Sequence, residues 1–296
     1  MCSSDLAALV DGNGRYLIED DWRFTYLNSG RELVSPATAA AAGTAVFAAP
    51  DFGGAGLWSA LPGARGEADD VRAALSGNPA LSPISMRTGA DASEAALKSL
   101  ASPRVLHLAT HGFYLKNVAR APVEASVSLS ALPGASVLLT LTASDDPFLR
   151  SGIVLAGANR TDQTVGRRAA GTGSGTTDDG YVTAAEIALL NLTGCDLVTL
   201  SACESGLGDL RNGDGVQGLR RAFRLAGARS LVVSLFSVPD QETRTLMGAF
   251  YQGLASGKSK ADALHDASRA TFQRRKAAGQ STHPFFWAGF VLVGAP

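Results

Sequence analysis

Apolar residues in this chain fall into short consecutive runs separated by glycine-rich turns and by stretches of helical spacing. Ala45-Val-Phe-Ala-Ala stops at Pro50-Asp-Phe-Gly-Gly, Val105 to Thr110 leads into His111-Gly112, Leu197-Val-Thr-Leu leads toward Cys203, and Ser230 to Leu235 forms a further run. Runs that are apolar at successive positions, not at every second one, are buried on both faces, as in parallel sheets covered by helices. Between them the pattern predicts helices over Glu67–Leu75, Asp91–Leu100, Thr183–Leu190, 214–225, 241–255 and 260–276. Asp91 with Glu94, and Thr183 with Glu186, have the spacing of capping boxes. Strands alternating with helices predict an α/β chain with a mostly parallel central sheet flanked by helices on both faces.

The remaining segments complete this picture. Asp11-Gly-Asn-Gly14 is a turn signal before Tyr16-Leu-Ile and Phe24-Thr-Tyr-Leu, which predicts a hairpin or two short strands. Val137–Leu141 and a stretch near Phe286–Val293 read as further strands. Residues 161–180, with Gly171-Thr-Gly-Ser-Gly-Thr-Thr-Asp-Asp-Gly at their end, have no apolar period and read as a loop insertion in a single domain spanning 1–296. The Arg167-Arg168 pair within it reads as ordinary loop charge.

Candidate chemistry sits at the ends of two of the apolar runs. His111 and Cys203 both follow predicted strands and both precede glycine-bearing turns, and ligands of parallel sheets gather at the carboxyl ends of strands. A free thiol, with a pKa of about 8.5, is mostly protonated at neutral pH, and only its thiolate attacks a carbonyl carbon. An imidazole within reach takes the proton and later returns it to the leaving amine. Gly112 has no side chain to keep a substrate carbonyl from its N–H, so the amides of Gly112 and Cys203 are the candidate oxyanion donors. A lone His and a lone Cys at strand ends also fit a purely structural role.

Leu108-Ala-Thr-His111-Gly112 with Leu200-Ser-Ala-Cys203-Glu-Ser-Gly-Leu-Gly resembles the CHAT domain, a caspase-like module often found beside tetratricopeptide repeats. The resemblance runs on through Gly213-Asp-Gly-Val-Gln-Gly-Leu-Arg-Arg-Ala-Phe, Ala226-Gly-Ala-Arg-Ser-Leu-Val-Val-Ser-Leu and His283-Pro-Phe-Phe-Trp-Ala-Gly-Phe-Val-Leu, and covers nearly the whole chain. It implies a caspase-like fold, a His111–Cys203 dyad that hydrolyses peptide bonds, no metal or organic cofactor, and a protein substrate. It also implies control by a tetratricopeptide-repeat region or another regulatory partner. Family members usually carry further segments ahead of the piece that resembles Ala8-Leu-Val-Asp-Gly-Asn-Gly, which implies an incomplete amino end here.

The chain departs from related signatures in two places. Of the caspase-style Q-A-C-[RQG]-G pattern it keeps Ala202-Cys203, with Ser201 for the Gln, the glycine delayed to Gly206, and a longer interval back to His111. The related metacaspases, which cut after basic residues, resemble this segment but carry an acid where Ser201 stands. An acidic floor for a basic side chain is therefore not supported at Ser201; Glu204, Asp209 and Asp214 are nearby acids that either substitute for it in a substrate pocket beside Ser201 or are ordinary solvated loop charges. Two rival functions remain open: a catalytically silent caspase-like scaffold or signalling module, and a cysteine esterase or amidase acting on small acyl substrates.

Composition narrows the setting. The 296 residues are 46% hydrophobic and 18% charged, with a net charge of −1, which gives no reason to expect nucleic acid or an anionic membrane as a partner. No run approaches the roughly 18 apolar residues of a membrane span, and Met-Cys-Ser-Ser-Asp-Leu at the start lacks the features of a signal peptide. Cys2, Cys195 and Cys203 do not make a disulfide framework, so a reducing, cytoplasmic setting is expected. Gly257-Lys258-Ser259 ends like a P-loop, but Gln252 stands where the first glycine is required and no strand precedes it. His107, placed on one strand with His111 about 13 Å away, reads as a core or sheet-edge histidine, and His265 on a predicted helix and His283 before Pro284 carry no functional signal. Cys195 reads as a small buried hydrophobe.

Overall fold

A computed structural model describes residues 5–27, 29–33, 40–114, 123–128, 136–141, 147–160, 178–201, 203–204, 214–236 and 238–295. Its centre is a six-stranded sheet of β1 (Thr44–Pro50), β2 (Ile84–Gly89), β3 (Val105–Ala109), β9 (Leu197–Leu200), β11 (Ser230–Ser234) and β12 (Phe290–Gly294). They stand in the order β12-β11-β9-β3-β1-β2, with every pairing parallel except β11–β12. β3, β9 and β11 are buried at every position, as expected of strands covered on both sides. The edge strand β2 alternates Ile84, Met86 and Thr88 with more exposed residues, a period-2 signal absent from the sequence reading.

Alternate strand residues divide the core in two. Phe47, Leu106, Leu108, Val198 and Val233 face one helical layer, made of α2 (Glu94–Lys98), α4 (Ala184–Ile187) and α5 (Asp214–Leu225). Val46, Ala48, Val105, Val232 and Leu292 face the other, made of α1 (Pro62–Leu75), α6 (Asp240–Ala255) and α7 (Lys260–Ala277). The flanked, mostly parallel sheet expected from the sequence is therefore present. α1 begins five residues ahead of the expected start because Pro62, at its first turn, has the backbone angle a helix needs there and no N–H to leave unpaired. α2 starts late because Ser93, not Asp91, accepts from Ala96 N–H and caps it.

A second sheet is stacked past the carboxyl ends of β3 and β9. It contains β4 (His111–Tyr114), β7 (Ser151–Val154), β8 (Tyr181–Thr183) and β10 (Cys203–Glu204), in the order β10-β4-β7-β8. Thr110 is the joint between β3 and β4, and its hydroxyl donates to the Val154 carbonyl. His107 and His111 therefore lie on different strands of different sheets, and the expected single strand is corrected. β5 (Val123–Ser128) and β6 (Ser136–Leu141) form a separate antiparallel pair that includes the expected 137–141 strand, and α3 (Pro147–Arg150) follows.

The small sheet is fastened by polar contacts. The buried Glu94 carboxylate accepts from Asp179 N–H at 2.9 Å and Gly180 N–H at 3.2 Å and pairs with Lys98, which also reaches Glu186. Thr183 and Glu186 form the expected capping box on α4. The expected amino-terminal hairpin is replaced by two isolated bridges, Val10 with Tyr16 and Tyr26 with Val293 of β12. Asp11 gathers the amides of Asn13 and Arg15 into a tight turn, and Glu19 caps Tyr16 N–H, which directs the chain into a 3-10 turn over Leu17–Glu19. Trp287 is wholly buried against Phe272 and Ile18, with its indole N–H on the Thr282 carbonyl. Most of the 161–180 segment, Arg167 and Arg168 included, lies outside the described residues. Among the described residues, no helix is long and apolar enough to cross a membrane.

Candidate active site

His111 opens β4 and Cys203 opens β10, and the parallel register of these two strands makes them direct Cα partners, with Gly112 opposite Glu204. Each follows the carboxyl end of a neighbouring core strand, since β3 and β9 are themselves paired. The sheet thus delivers two distant parts of the sequence to one point. β4 lies between β10 and β7, so Gly112 has Ile153 on its other side. The side chains of Cys203 and Glu204 lie outside the described residues, as does Asp209; of Asp214 only its place at the start of α5 is described.

The His111 ring is nine-tenths buried and lies between Phe52 and Trp58, with ring centroids 5.2 and 5.3 Å away. Its Nε2 is 2.8 Å from the Ser59 carbonyl oxygen. A carbonyl only accepts, so Nε2 carries the proton, and in the neutral ring Nδ1 is the nitrogen with basic character. The loop that presents Ser59 is clamped by Asn159. Its Oδ1 accepts from Trp58 N–H at 3.0 Å, while its Nδ2 donates to the carbonyls of Gly54 and Trp58. A Cβ on Gly56 would come within 2.5 Å of the Asn159 side chain, so this turn needs a glycine. Trp58 is held in turn by its indole N–H on Tyr181 Oη at 2.9 Å.

Burial lowers the pKa of His111 below the ordinary imidazole value, against the Ser59 carbonyl and the charge of Asp240, which both raise it. A buried imidazole of this kind binds fewer protons folded than unfolded as the pH falls through about 6.5, so stability is lost on that side. His265, also buried and with its pKa lowered chiefly by desolvation, contributes in the same direction. In urea unfolding at about pH 7.5 and about pH 5.5, His111→Gln is expected to lose less stability between the two than the parent does. An equal loss in both proteins would contradict this account of His111.

Beside His111 a cavity of about 110 Å³ is lined by residues including Glu67, Thr110, Ser201 and Asp240. Glu67 is only 4% exposed; its Oε2 accepts from the Ser201 hydroxyl at 3.1 Å and its Oε1 is 3.2 Å from His107 Nε2. That second contact is close but not aligned as a hydrogen bond, so Oε1 has no hydrogen-bond donor among the described residues. His107 is a core histidine as expected, fully buried, with Nδ1 3.0 Å from Tyr251 Oη. Among the described residues no Lys or Arg lines the cavity, and Glu67 and Asp240 are its acidic side chains. Of the four expected pocket residues, Ser201 reaches this cavity.

Glu67, Asp240, the Ser59 carbonyl and Asn159 are functional candidates that the sequence reading missed. Glu67 carries a legible signal once α1 starts at Pro62. It falls on the buried stripe of Ala64, Ala68, Val71 and Leu75, where a carboxylate is out of place unless it has work there. A backbone carbonyl has no such signature. Of the other two cysteines, Cys2 lies outside the described residues, and Cys195 is buried, with desolvation pushing its pKa up to about 12, the opposite of an activated nucleophile.

Comparisons agree with the resemblance read from the sequence. Residues 5–295 match the model of the CHAT domain. A segment of 114 residues, 38% of this chain, is 36% identical to tetratricopeptide repeat protein 28 of Mus musculus, and 82 residues, 28% of the chain, are 42% identical to the Homo sapiens protein of that name. These matches span only 4% and 3% of the relatives' own length. A crystal structure of the Arg specific cysteine proteinase gingipain R aligns over 88% of this chain and 49% of its own, at 8% identity and a TM-score of 0.47. With a family match running almost from end to end, over a flanked and mostly parallel sheet, this chain belongs to the CHAT domain family.

Proposed function

We propose that this domain is a cysteine endopeptidase in which Cys203 is the nucleophile and His111 the general base and acid. The observation that carries the reading is the strand register, which makes His111 and Cys203 Cα partners past the end of the core sheet. In the first step the Cys203 thiol gives its proton to His111 Nδ1 and the thiolate bonds to the scissile carbonyl carbon. The C–N bond then breaks as the imidazolium protonates the leaving amine, and water, deprotonated by His111, hydrolyses the thioester. The amides of Gly112 and Cys203 are the proposed oxyanion donors. The Ser59 carbonyl supports this scheme by keeping the proton on Nε2 and the basic nitrogen available to the thiol.

The acid-lined cavity beside His111 supports a basic substrate side chain on the acyl side of the cut, with Glu67 and Asp240 as its counter-charges. Control by a repeat region or partner protein is part of the proposal, in line with relatives named for tetratricopeptide repeats. The test is a diverse peptide pool digested by the purified domain, with products sequenced and Cys203→Ala as the blank. Cys203-dependent cuts, enriched after Arg or Lys, are expected. Glu67→Gln, which keeps an oxygen to accept from Ser201, should reduce the preference for basic over neutral residues by about tenfold or more, as loss of a buried counter-charge does. No Cys203-dependent product in the pool, with unselective thiol labelling by an activity probe, would favour the scaffold; faster turnover of small acyl esters than of peptides would favour the esterase. Cuts without a basic preference would sink the role of Glu67 alone.

A further inference from the structure

A second cavity, of about 390 Å³, opens at the other end of the six-stranded sheet, where β3, β9 and β11 begin. The residues just ahead of those strands, Arg104, Asp196 and Arg229, line it together with Lys258, Ser259 and Lys260. It is about 20 Å from His111, counting along β3 at roughly 3.3 Å per residue. Its volume is within the range of small-molecule sites, about 300–1,000 Å³.

The charges in it do not balance. Lys258 is half exposed and is paired outward with Asp266 at 2.6 Å. Lys260 is nine-tenths buried, its ammonium 2.9 Å from Asp196 Oδ1. Burial lowers its pKa first; Asp196 opposes this, and Arg229 and Arg104 are close enough to lower it further. Neither of those guanidinium groups has an ion-pair partner among the described residues. One carboxylate, Asp196, paired with Lys260, thus shares the cavity with Arg104 and Arg229 as well, in a partly enclosed space where uncompensated charge is costly. The Gly257-Lys258-Ser259 turn adds the amino end of the 18-residue α7, with Ser259 as its cap and its first amides unpaired within the helix. The sequence was right that this is no P-loop, since the turn joins two helices; the fold nonetheless sets it at the mouth of a basic cavity.

We propose that this cavity binds a phosphate group, held by the two guanidinium forks and by Lys260. A guanidinium group donates two parallel N–H bonds to phosphate oxygens, and dianionic charge offsets the excess of two positive charges. The site is independent of the peptidase reading and of His111. The experiment is calorimetric titration of the intact domain with inorganic phosphate, pyrophosphate and AMP at constant ionic strength, with sulfate as the competing anion. Saturable binding is expected, weakened at least tenfold in Arg104→Gln/Arg229→Gln and less than threefold in Lys258→Gln. The two arginine side chains hold no other described partner, so the double variant should keep the parent's circular dichroism and melting temperature; each single variant provides the same comparison if the double does not fold. Equal binding of inorganic phosphate and AMP identifies the free ion as the ligand, and tighter binding of AMP identifies a nucleotide. No saturation by about 10 mM, sulfate competing as well as phosphate, or affinity unchanged in the folded arginine variants would overturn the proposal.

Discussion

Cys203→Ala is expected to reduce kcat/KM on the best peptide of the pool by at least about a thousandfold, and His111→Ala by a similar factor. A thiol without its base, and a base without its thiol, are each inert, so the double variant should be no slower than either single one. Non-additivity is the informative part, because residues that act as one unit do not contribute separable amounts. Thermal melts of the three variants belong beside the kinetics. His111 is packed between Phe52 and Trp58, and its truncation leaves a void as well as a missing base. His111→Gln, close to isosteric, separates the two effects. If Cys203→Ala retained a tenth of parental peptide hydrolysis, the nucleophile would have to be sought elsewhere.

The second large effect is expected from a residue with no chemistry. Gly152 is in β7, directly opposite Phe113 of β4, and a Cβ there would be 2.3 Å from the Val182 carbonyl oxygen and 2.5 Å from the Phe113 ring. Both neighbours belong to the sheet that carries His111, and neither has room to withdraw, since Phe113 and Val182 are fully buried. Gly152→Val should cost about 3 kcal/mol, the upper part of the range for overpacking, read as a shift in the urea midpoint. Activity should fall with it, because β7 is the strand that holds β4 on the side away from β10. Gly77→Ala, with open space around its Cβ and no unusual backbone angle, is the matched control and should shift stability by less than about 0.5 kcal/mol. A destabilisation of Gly152→Val no larger than that of the control would mean the strands separate more easily than their packing indicates.

The core strands and the helices between them were legible because burial on both faces imposes continuous apolar runs, as in β3 and β11, and because Thr183 with Glu186 has the capping spacing. His111 and Cys203 were legible as residues just past such runs. Their separation into a second sheet was not, because Thr110 has the same apolar surroundings as the strand it ends, and the break is made by its hydroxyl bonding across to Val154. The amino-terminal turn was misread because Tyr16-Leu-Ile has strand propensity that local bonds from Asp11 and Glu19 overrule. The acid-lined cavity draws on residues from α1, α6 and the ends of two strands, and only the tertiary fold brings them together. Arg224 donates to the carbonyls of Ala228 and Arg229 beyond the end of α5, a role visible only once the chain's path there is known.

A single residue, Thr110, separates the core strand β3 from His111. Successive residues of an extended chain point to opposite sides, so adding or deleting one residue at this joint would turn the imidazole away from Ser59 and exchange it for a neighbour. The length of that junction is therefore fixed as firmly as the histidine it presents.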